Sequence, residues 1–357
     1  MLNMKVVTVI GARPQFIKAA VISRVITNTP GVEEVIIHTG QHFDTNMSDV
    51  FFEEMSIPKP QYNLNINGLG HGAMTGQMLE KIEEVLLKER PDWVLVYGDT
   101  NSTIAGALAA KKLHVKVAHV EAGLRSFNIA MPEEVNRILT DRISDILFCP
   151  TATAVNNLKN EGYNSFDCRV MEVGDVMQDA AIFYVNKAIK PNSDIPTDFA
   201  LCTVHRAENT DDEIRLRNIF IALEEVAEIT PVVLPLHPRT KSKLMFLGYD
   251  FQNSSIRFIN PVGYLEMVWL LINCKFVLTD SGGLQKEAYF FSKPCITMRD
   301  ETEWVELVEN GFNTLAGADI RRIVELAKKA IDGDSLDFSL RLYGKGNAGE
   351  IIIENLR

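Results

Sequence analysis

Along the first half of the chain, short apolar runs rich in β-branched residues at 6–10, 35–38, 93–97, 115–120 and 146–149 alternate with longer stretches of mixed polarity. The runs at 6–10, 93–97 and 146–149 are apolar almost throughout rather than at every second residue, the pattern of strands buried on both faces. Between the second and third runs, Met78, Ile82, Val85 and Leu86 fall at i, i+4, i+7 and i+8. That spacing lines one face of a helix and marks it as scaffold. After about residue 175 the alternation restarts, with runs at 200–204, 231–236, 256–259, 275–279 and 295–298. Strands that alternate with helices build a parallel sheet, because each parallel pair needs a crossover. The expected fold class is therefore α/β, in two units of similar length divided near Gly174.

Composition changes this picture little. The 357 residues exceed what one hydrophobic core usually serves, which agrees with two domains and makes their interface the expected place for a site. With 46% hydrophobic and 23% charged residues, the chain is an ordinary globular protein rather than a disordered one. A net charge of −11 argues against general nucleic-acid binding but leaves room for a local basic pocket holding a small anion. Cys149, Cys168, Cys202, Cys274 and Cys295 are scattered and show no metal-ligand spacing, so they read as small core residues in a reducing compartment. No apolar run approaches the roughly 20 residues of a membrane span. No signal-peptide pattern precedes the first strand, and a cytoplasmic location is expected.

In open parallel sheets ligands gather at the carboxyl ends of strands, so the chemistry is sought there. The first strand ends in Gly11-Ala12-Arg13-Pro14 and runs into a helix carrying Lys18, without the dinucleotide G-x-G-x-x-G or the P-loop pattern. Arg13 and Lys18 read as cations addressing a charged ligand. In the second half, Thr279-Asp280-Ser281-Gly282-Gly283 opens a helix, and two glycines let backbone N–H groups approach a phosphate at the helix N-terminus. Glu287, one turn further, can accept from ribose hydroxyls. An ordinary Ser-Gly-Gly turn is the alternative. His205-Arg206 at another strand end suits a diphosphate, although a lone histidine is as often structural. His237, in Leu236-His237-Pro238-Arg239, reads as structural or supporting. The first half supplies acids at its strand ends: Asp99, Glu121, and Glu133 with Glu134. Asp99 also suits a helix N-cap, and Pro132 followed by acids is ordinary first-turn chemistry. Three acids converging on one sheet edge nonetheless point to acid–base work on a nucleotide-sugar.

Taken in order along nearly the whole chain, these segments resemble the non-hydrolysing UDP-N-acetylglucosamine 2-epimerase family. The matching stretches are Gly11-Ala12-Arg13-Pro14 with Lys18, His38-Thr39-Gly40-Gln41-His42, Gly98-Asp99-Thr100, His119-Val120-Glu121-Ala122-Gly123-Leu124-Arg125, Pro132-Glu133-Glu134 with Asn136-Arg137, and 280–288. The resemblance implies a GT-B fold: two Rossmann-like domains, residues 1–174 and 175–340, with UDP in the cleft between them. A final segment, 341–357, would cross back to the first domain, and the protein would be a homodimer. It implies Asp99, Glu121 and Glu133 as catalytic carboxylates, with Lys18 and His205 near the sugar and diphosphate. Arg13, Ser281, Gly282, Gly283 and Glu287 would contact UDP. The implied reaction removes H2 as UDP leaves C1, giving a glycal, and then returns a proton to the opposite face as UDP adds back. It needs neither metal nor nicotinamide, since the oxidation state does not change. Which acid serves which face is not read from sequence.

Several departures bear on the substrate. Where the family commonly reads Arg-Asp-x-Thr-Glu-Arg-Pro-Glu, this chain has Arg299-Asp300-Glu301-Thr302-Glu303-Trp304-Val305-Glu306. Gln15-Phe16 replaces a common Glu-Ala, the segment 126–131 is short, and Met267 stands where relatives often place an aromatic residue near the uracil. These features resemble the branch acting on UDP-2,3-diacetamido-2,3-dideoxy-D-glucuronate, which yields the manno isomer for surface polysaccharide. A carboxylate on that sugar would need a cation, and Arg125, Arg206 and Arg299 are available; Trp304 reads equally as core packing. UDP-N-acetylglucosamine is the alternative substrate. A GT-B glycosyltransferase, a hydrolysing epimerase and a noncatalytic nucleotide-sugar sensor are the rival functions.

Overall fold

A computed structural model describes residues 3–41, 57–333 and 336–357, and the chain divides into two compact units, Met1–Ile182 with Arg341–Arg357 and Phe183–Leu340. The division falls inside a helix, later in the chain than Gly174. Each unit is a wholly parallel sheet with helical crossovers.

In the first unit the strands are β1 (Met4–Ile10), β2 (Val32–His38), β3 (Tyr62–Asn63), β4 (Trp93–Tyr97), β5 (Lys116–Val120), β6 (Ile146–Cys149) and β7 (Arg169–Glu172). They lie in the order β3-β2-β1-β4-β5-β6-β7. The helices between them are α1 (Arg13–Thr27), α2 (His71–Glu89), α3 (Asn101–Lys112), α4 (Pro132–Ile143), α5 (Ala152–Asn160) and, leading out of the unit, α6 (Val176–Tyr184). The five strands read from sequence are those whose residues are almost fully buried. The edge strands β3 and β7 escaped that reading because partly exposed strands lack a continuous apolar run. Met78, Ile82, Val85 and Leu86 of α2 are buried against the sheet, as their spacing predicts.

The second unit holds β8 (Ala200–Thr203), β9 (Val232–Pro235), β10 (Arg257–Ile259), β11 (Phe276–Thr279), β12 (Cys295–Thr297) and β13 (Asn313–Leu315), ordered β10-β9-β8-β11-β12-β13. Its helices are α7 (Ala207–Thr210), α8 (Glu213–Ala227), α9 (Pro238–Phe246), α10 (Tyr264–Asn273), α11 (Gly282–Phe290), α12 (Val305–Glu309) and α13 (Ile320–Asp332). The last helix, α14 (Ala348–Leu356), belongs to the first unit. Trp93 Nε1 donates to the Leu356 carbonyl at 3.0 Å. Gly349 sits so close to α1 that a Cβ there would meet Val21 Cγ1 at 2.9 Å. The chain returns beside Gly174, whose φ of +86° leaves no room for a side chain: a Cβ would lie 2.7 Å from the Tyr343 carbonyl oxygen.

In both sheets the strand order reverses once, at β1/β4 and at β8/β11. The crevice above such a reversal is where this architecture leaves strand ends open for a ligand.

Candidate active site

In the first unit, Gly11 follows β1, Gly98 follows β4 and Glu121 follows β5, so three loops meet at one edge of the sheet. Lys18, in the second turn of α1, donates to Glu121 Oε2, and the two side chains are 8% and 9% exposed. Each charge is thereby neutralised in a place where an unpaired ion would be costly. Glu121 holds a left-handed backbone, φ +68°, an uncommon conformation for a residue with a side chain. Its N–H and that of Ala122 both donate to the Phe148 carbonyl at 3.1 Å. Gly98 lies under the pair: a Cβ would stand 3.1 Å from Glu121 Oε2 and 3.5 Å from Lys18 Nζ.

Asp99 is not the N-cap of α3. Thr100 takes that position and accepts from Thr103 N at 3.3 Å, which leaves the Asp99 carboxylate for other work. That carboxylate is 31% exposed and pairs with Arg137 Nη2, while Asn136 Nδ2 donates to the Asp99 carbonyl at 2.9 Å. Both partners come from α4, which starts at Pro132. Within the Glu133-Glu134 pair the structure separates two roles. Glu134 is buried and accepts from Ser126 N and Oγ at 2.9 Å, Phe127 N at 3.0 Å and Arg137 Nη1 at 3.0 Å, so it ties down the preceding loop. Glu133 is half-buried and makes no side-chain hydrogen bond or ion pair among the described residues. It is linked to Asp99 through Asn136 and Arg137 of the same helix.

The residue that locks these loops was singled out in the sequence only as a departure from its relatives. Gln15 is 1% exposed, and its Oε1 accepts from Gly11 N at 2.8 Å and Ala12 N at 3.1 Å. Its Nε2 donates to the Tyr97 carbonyl at 2.8 Å and to Thr100 and Thr103 Oγ1 at 3.0 Å. A carbonyl can only accept, so this site calls for an amide nitrogen and suits Gln rather than an ionised Glu. The Arg13 side chain and His42 lie outside what the structure describes.

In the second unit, Asp280 follows β11 and is fully buried. It accepts from His205 N at 3.0 Å, Arg206 N at 3.0 Å and Asn209 Nδ2 at 3.2 Å, and so fastens the loop after β8 to the start of α11. The His205 imidazole is 37% exposed, with Nε2 3.9 Å from Asp280 Oδ1. Burial pushes it below its ordinary range, against the pull of the Asp280 carboxylate, and the Arg206 and Arg239 cations add to the downward push. Ser281 is the N-cap of α11, its hydroxyl accepting from Leu284 N at 3.5 Å. At Gly283 an added Cβ would meet nothing nearer than Ser281 Oγ at 4.0 Å, so the helix N-terminus has room in front of it. At Gly282 it would strike the Glu303 carboxylate and lie 3.6 Å from Arg206 Nη2. Helix N-termini of this kind suit phosphate. Glu287 is buried beside the Tyr264 phenol, which burial and this carboxylate push well up.

Trp304 is buried and has a specific partner. Its indole Nε1 donates to the Gly282 carbonyl at 2.9 Å, and Lys286 Nζ stands 4.0 Å above its ring. It therefore braces the glycine turn from behind. His237 caps α9, its Nδ1 accepting from Arg239 N at 3.2 Å. Asp280 as organiser of the turn was the residue least visible in sequence. The available signal was an acid directly after a buried strand. Among the described residues no cluster of three or more His, Cys, Asp or Glu could hold a metal ion, and no helix is long and apolar enough to cross a membrane.

Comparison with known proteins gives these features a family. The sequence profile of the UDP-N-acetylglucosamine 2-epimerase family matches residues 24–357. The UDP-2,3-diacetamido-2,3-dideoxy-D-glucuronate 2-epimerase of Pseudomonas aeruginosa is 58% identical over 355 residues, covering 99% of each chain. The crystal structure of Methanocaldococcus jannaschii UDP-GlcNAc 2-epimerase in complex with UDP-GlcNAc and UDP superposes with a TM-score of 0.88 at 42% identity, covering 99% of both chains. The UDP-GlcNAc 2-epimerase from Neisseria meningitidis bound to UDP-GlcNAc gives 0.87 at 32% identity, again over 99% of both. The two parallel-sheet units thus form the GT-B-like double-Rossmann fold of these proteins.

Proposed function

The chain belongs to the UDP-N-acetylglucosamine 2-epimerase family, and from that premise we propose that it inverts C2 of UDP-2,3-diacetamido-2,3-dideoxy-D-glucuronate to give the manno isomer. The observation that carries the choice of sugar is the 58% identity, over 99% of both chains, to the Pseudomonas aeruginosa enzyme named for that substrate. Ser281, Gly282, Gly283, His205 and Arg13 hold the diphosphate, and Glu287 holds the ribose. Asp99, Glu121 and Glu133 carry the proton transfers, with Lys18 paired to Glu121 in its buried setting.

The reaction runs in two balanced halves. A carboxylate takes H2, the C2–H electrons form C1=C2, and the C1–O bond breaks to release UDP. In the return, a carboxylic acid protonates C2 from the opposite face and UDP re-forms the C1–O bond. Two faces of one carbon need two proton positions, which is the use of more than one acid. Each step moves a proton or a C–O bond and none moves a hydride, so the reaction as written draws on no nicotinamide. The Lys18–Glu121 pair and the Arg137–Asp99 pair each hold an acid beside a cation. The protein works as a cytoplasmic homodimer on a pathway to surface polysaccharide, without nucleic-acid or membrane partners. The acidic net charge of −11 supports the exclusion of nucleic acid.

Proton NMR in D2O tests the assignment, with UDP-2,3-diacetamido-2,3-dideoxy-D-glucuronate and UDP-N-acetylglucosamine offered separately. Deuterium at C2 together with the manno isomer, from the diacetamido uronate alone, is the expected result. Exchange only with UDP-N-acetylglucosamine overturns the choice of sugar, and exchange with neither overturns epimerisation of these sugars. Light scattering at micromolar concentration checks the dimer.

A further inference from the structure

We propose that Asp141 and His119 are positioning residues that fix, through a single buried carboxylate, the two turns carrying Asp99 and Glu121. The proposal rests on the assignment of those two acids to proton transfer.

His119 lies in β5, fully buried, two residues before Glu121. Its Nε2 is 2.7 Å from the Gly98 carbonyl oxygen, one residue before Asp99, and its Nδ1 is 2.7 Å from Asp141 Oδ1. A carbonyl only accepts, and so does an ionised carboxylate, so both ring nitrogens act as donors. The other oxygen of Asp141 accepts from Gly123 N at 3.1 Å and Arg125 Nη1 at 2.7 Å. Gly123 is two residues past Glu121. Arg125 is held in turn by Glu161, Nε to Oε1 at 2.7 Å and Nη2 to Oε2 at 2.8 Å, and it also donates to the Leu124 carbonyl at 2.7 Å. Burial would push the Asp141 carboxyl up, but the hydrogen bonds and charges of His119 and Arg125 outweigh it and hold the group below its usual range.

One carboxylate reaches the Glu121 turn directly and the Gly98 turn through the His119 ring. Gly98, Glu121 and Gly123 have φ of +61°, +68° and +78°, so the segments bearing the two acids run through left-handed backbone. Such a conformation at Glu121 persists only where its surroundings over-determine it. Proton transfer on opposite faces of one carbon demands that the acids keep their separation, and displacement of about 1 Å costs about 100-fold in rate. Asp141 holds the Glu121 turn directly at Gly123 and the Gly98 turn through His119, in a dry environment where a fully satisfied polar network is rigid. It lies on α4, the helix that also supplies Glu133, Asn136 and Arg137. The third acid is therefore indexed to the same support.

Two measurements test this. In protein labelled with 15N-histidine and free of substrate, His119 is expected to show two slowly exchanging ring N–H protons, assigned by their loss in His119→Gln. Asp141→Asn should abolish the Nδ1–H signal. A single ring N–H in the wild type overturns the proposal. In steady-state assays with whichever UDP-sugar the wild type epimerises, Asp141→Asn should lower kcat about 100-fold while KM and the Kd for UDP stay within about threefold. His119→Gln, which keeps a donor for the Gly98 carbonyl, should retain more kcat than His119→Leu. Folded variants of both kinds with wild-type kcat overturn the proposal. If the wild type epimerises neither sugar, the functional reading fails on its own, and the NMR result still decides whether the clamp exists.

Discussion

Asp179 offers a test in which charge, burial and helix docking can be separated. It lies on α6, and its Oδ2 accepts from Gly349 N at 2.9 Å, in the first turn of α14. Its Oδ1 is buried with no hydrogen-bond partner among the described residues. Burial pushes this carboxyl from 3.8 up to about 6, although the Gly349 and Ala348 N–H groups pull it down. Between those two values the folded protein binds more protons than the unfolded chain. Stability is therefore highest when the group is protonated, below pH 4, and falls as pH rises until the loss is complete above pH 6. The shift corresponds to about 3 kcal/mol lost at pH 8. Asp179→Asn keeps an oxygen for Gly349 and removes the charge, but it buries an amide N–H without a partner at a cost of about 1 kcal/mol. The variant should thus hold α14 more firmly than the wild type by about 2 kcal/mol at pH 8, and more weakly by about 0.5 kcal/mol at pH 4. Hydrogen exchange of the 348–356 segment, followed by mass spectrometry and corrected for intrinsic rates, reads this directly. About 30-fold greater protection at pH 8 is expected, with the sign reversing by pH 4. Equal or weaker protection at pH 8, or a difference that does not change with pH, would refute the reasoning.

Three further outcomes follow from the same structure. Lys18→Met strips the buried Glu121 of its lysine cation and should destabilise the protein by about 3–5 kcal/mol, with most of the loss recovered in Lys18→Met/Glu121→Gln; urea unfolding of the four-member cycle measures the coupling. Asp280→Ala releases the backbone N–H groups of His205 and Arg206 from their shared acceptor, and isothermal titration should find UDP bound at least about tenfold more weakly. Trp304→Phe leaves the Gly282 carbonyl without its indole donor. UDP affinity should fall about tenfold, and an unchanged Kd would return Trp304 to simple packing.

Much of this protein was legible before any coordinate. Buried parallel strands must be apolar on both faces, so residues 6–10, 93–97 and 276–279 announced themselves by composition alone, and the doubly wound architecture followed from their alternation with helices. The strand-end rule then directed attention to Lys18, Asp99, Glu121, His205 and Ser281 because backbone at those points is open to a ligand. The limits of this reading were set by contact between segments far apart in the chain. Nothing local to Gln15 says that its amide spans from Gly11 to Tyr97, 82 residues away. Nothing near Asp141 says that it gathers His119, Gly123 and Arg125, and nothing near Asp280 says that it gathers His205, Arg206 and Asn209. Nothing in the Glu133-Glu134 pair tells which carboxylate is spent on the backbone of the preceding loop. Periodicity reports which face of an element is buried, since that depends on residues three or four apart. A hydrogen bond between a buried carboxylate and a distant turn depends on how whole elements pack, and only the tertiary structure decides it.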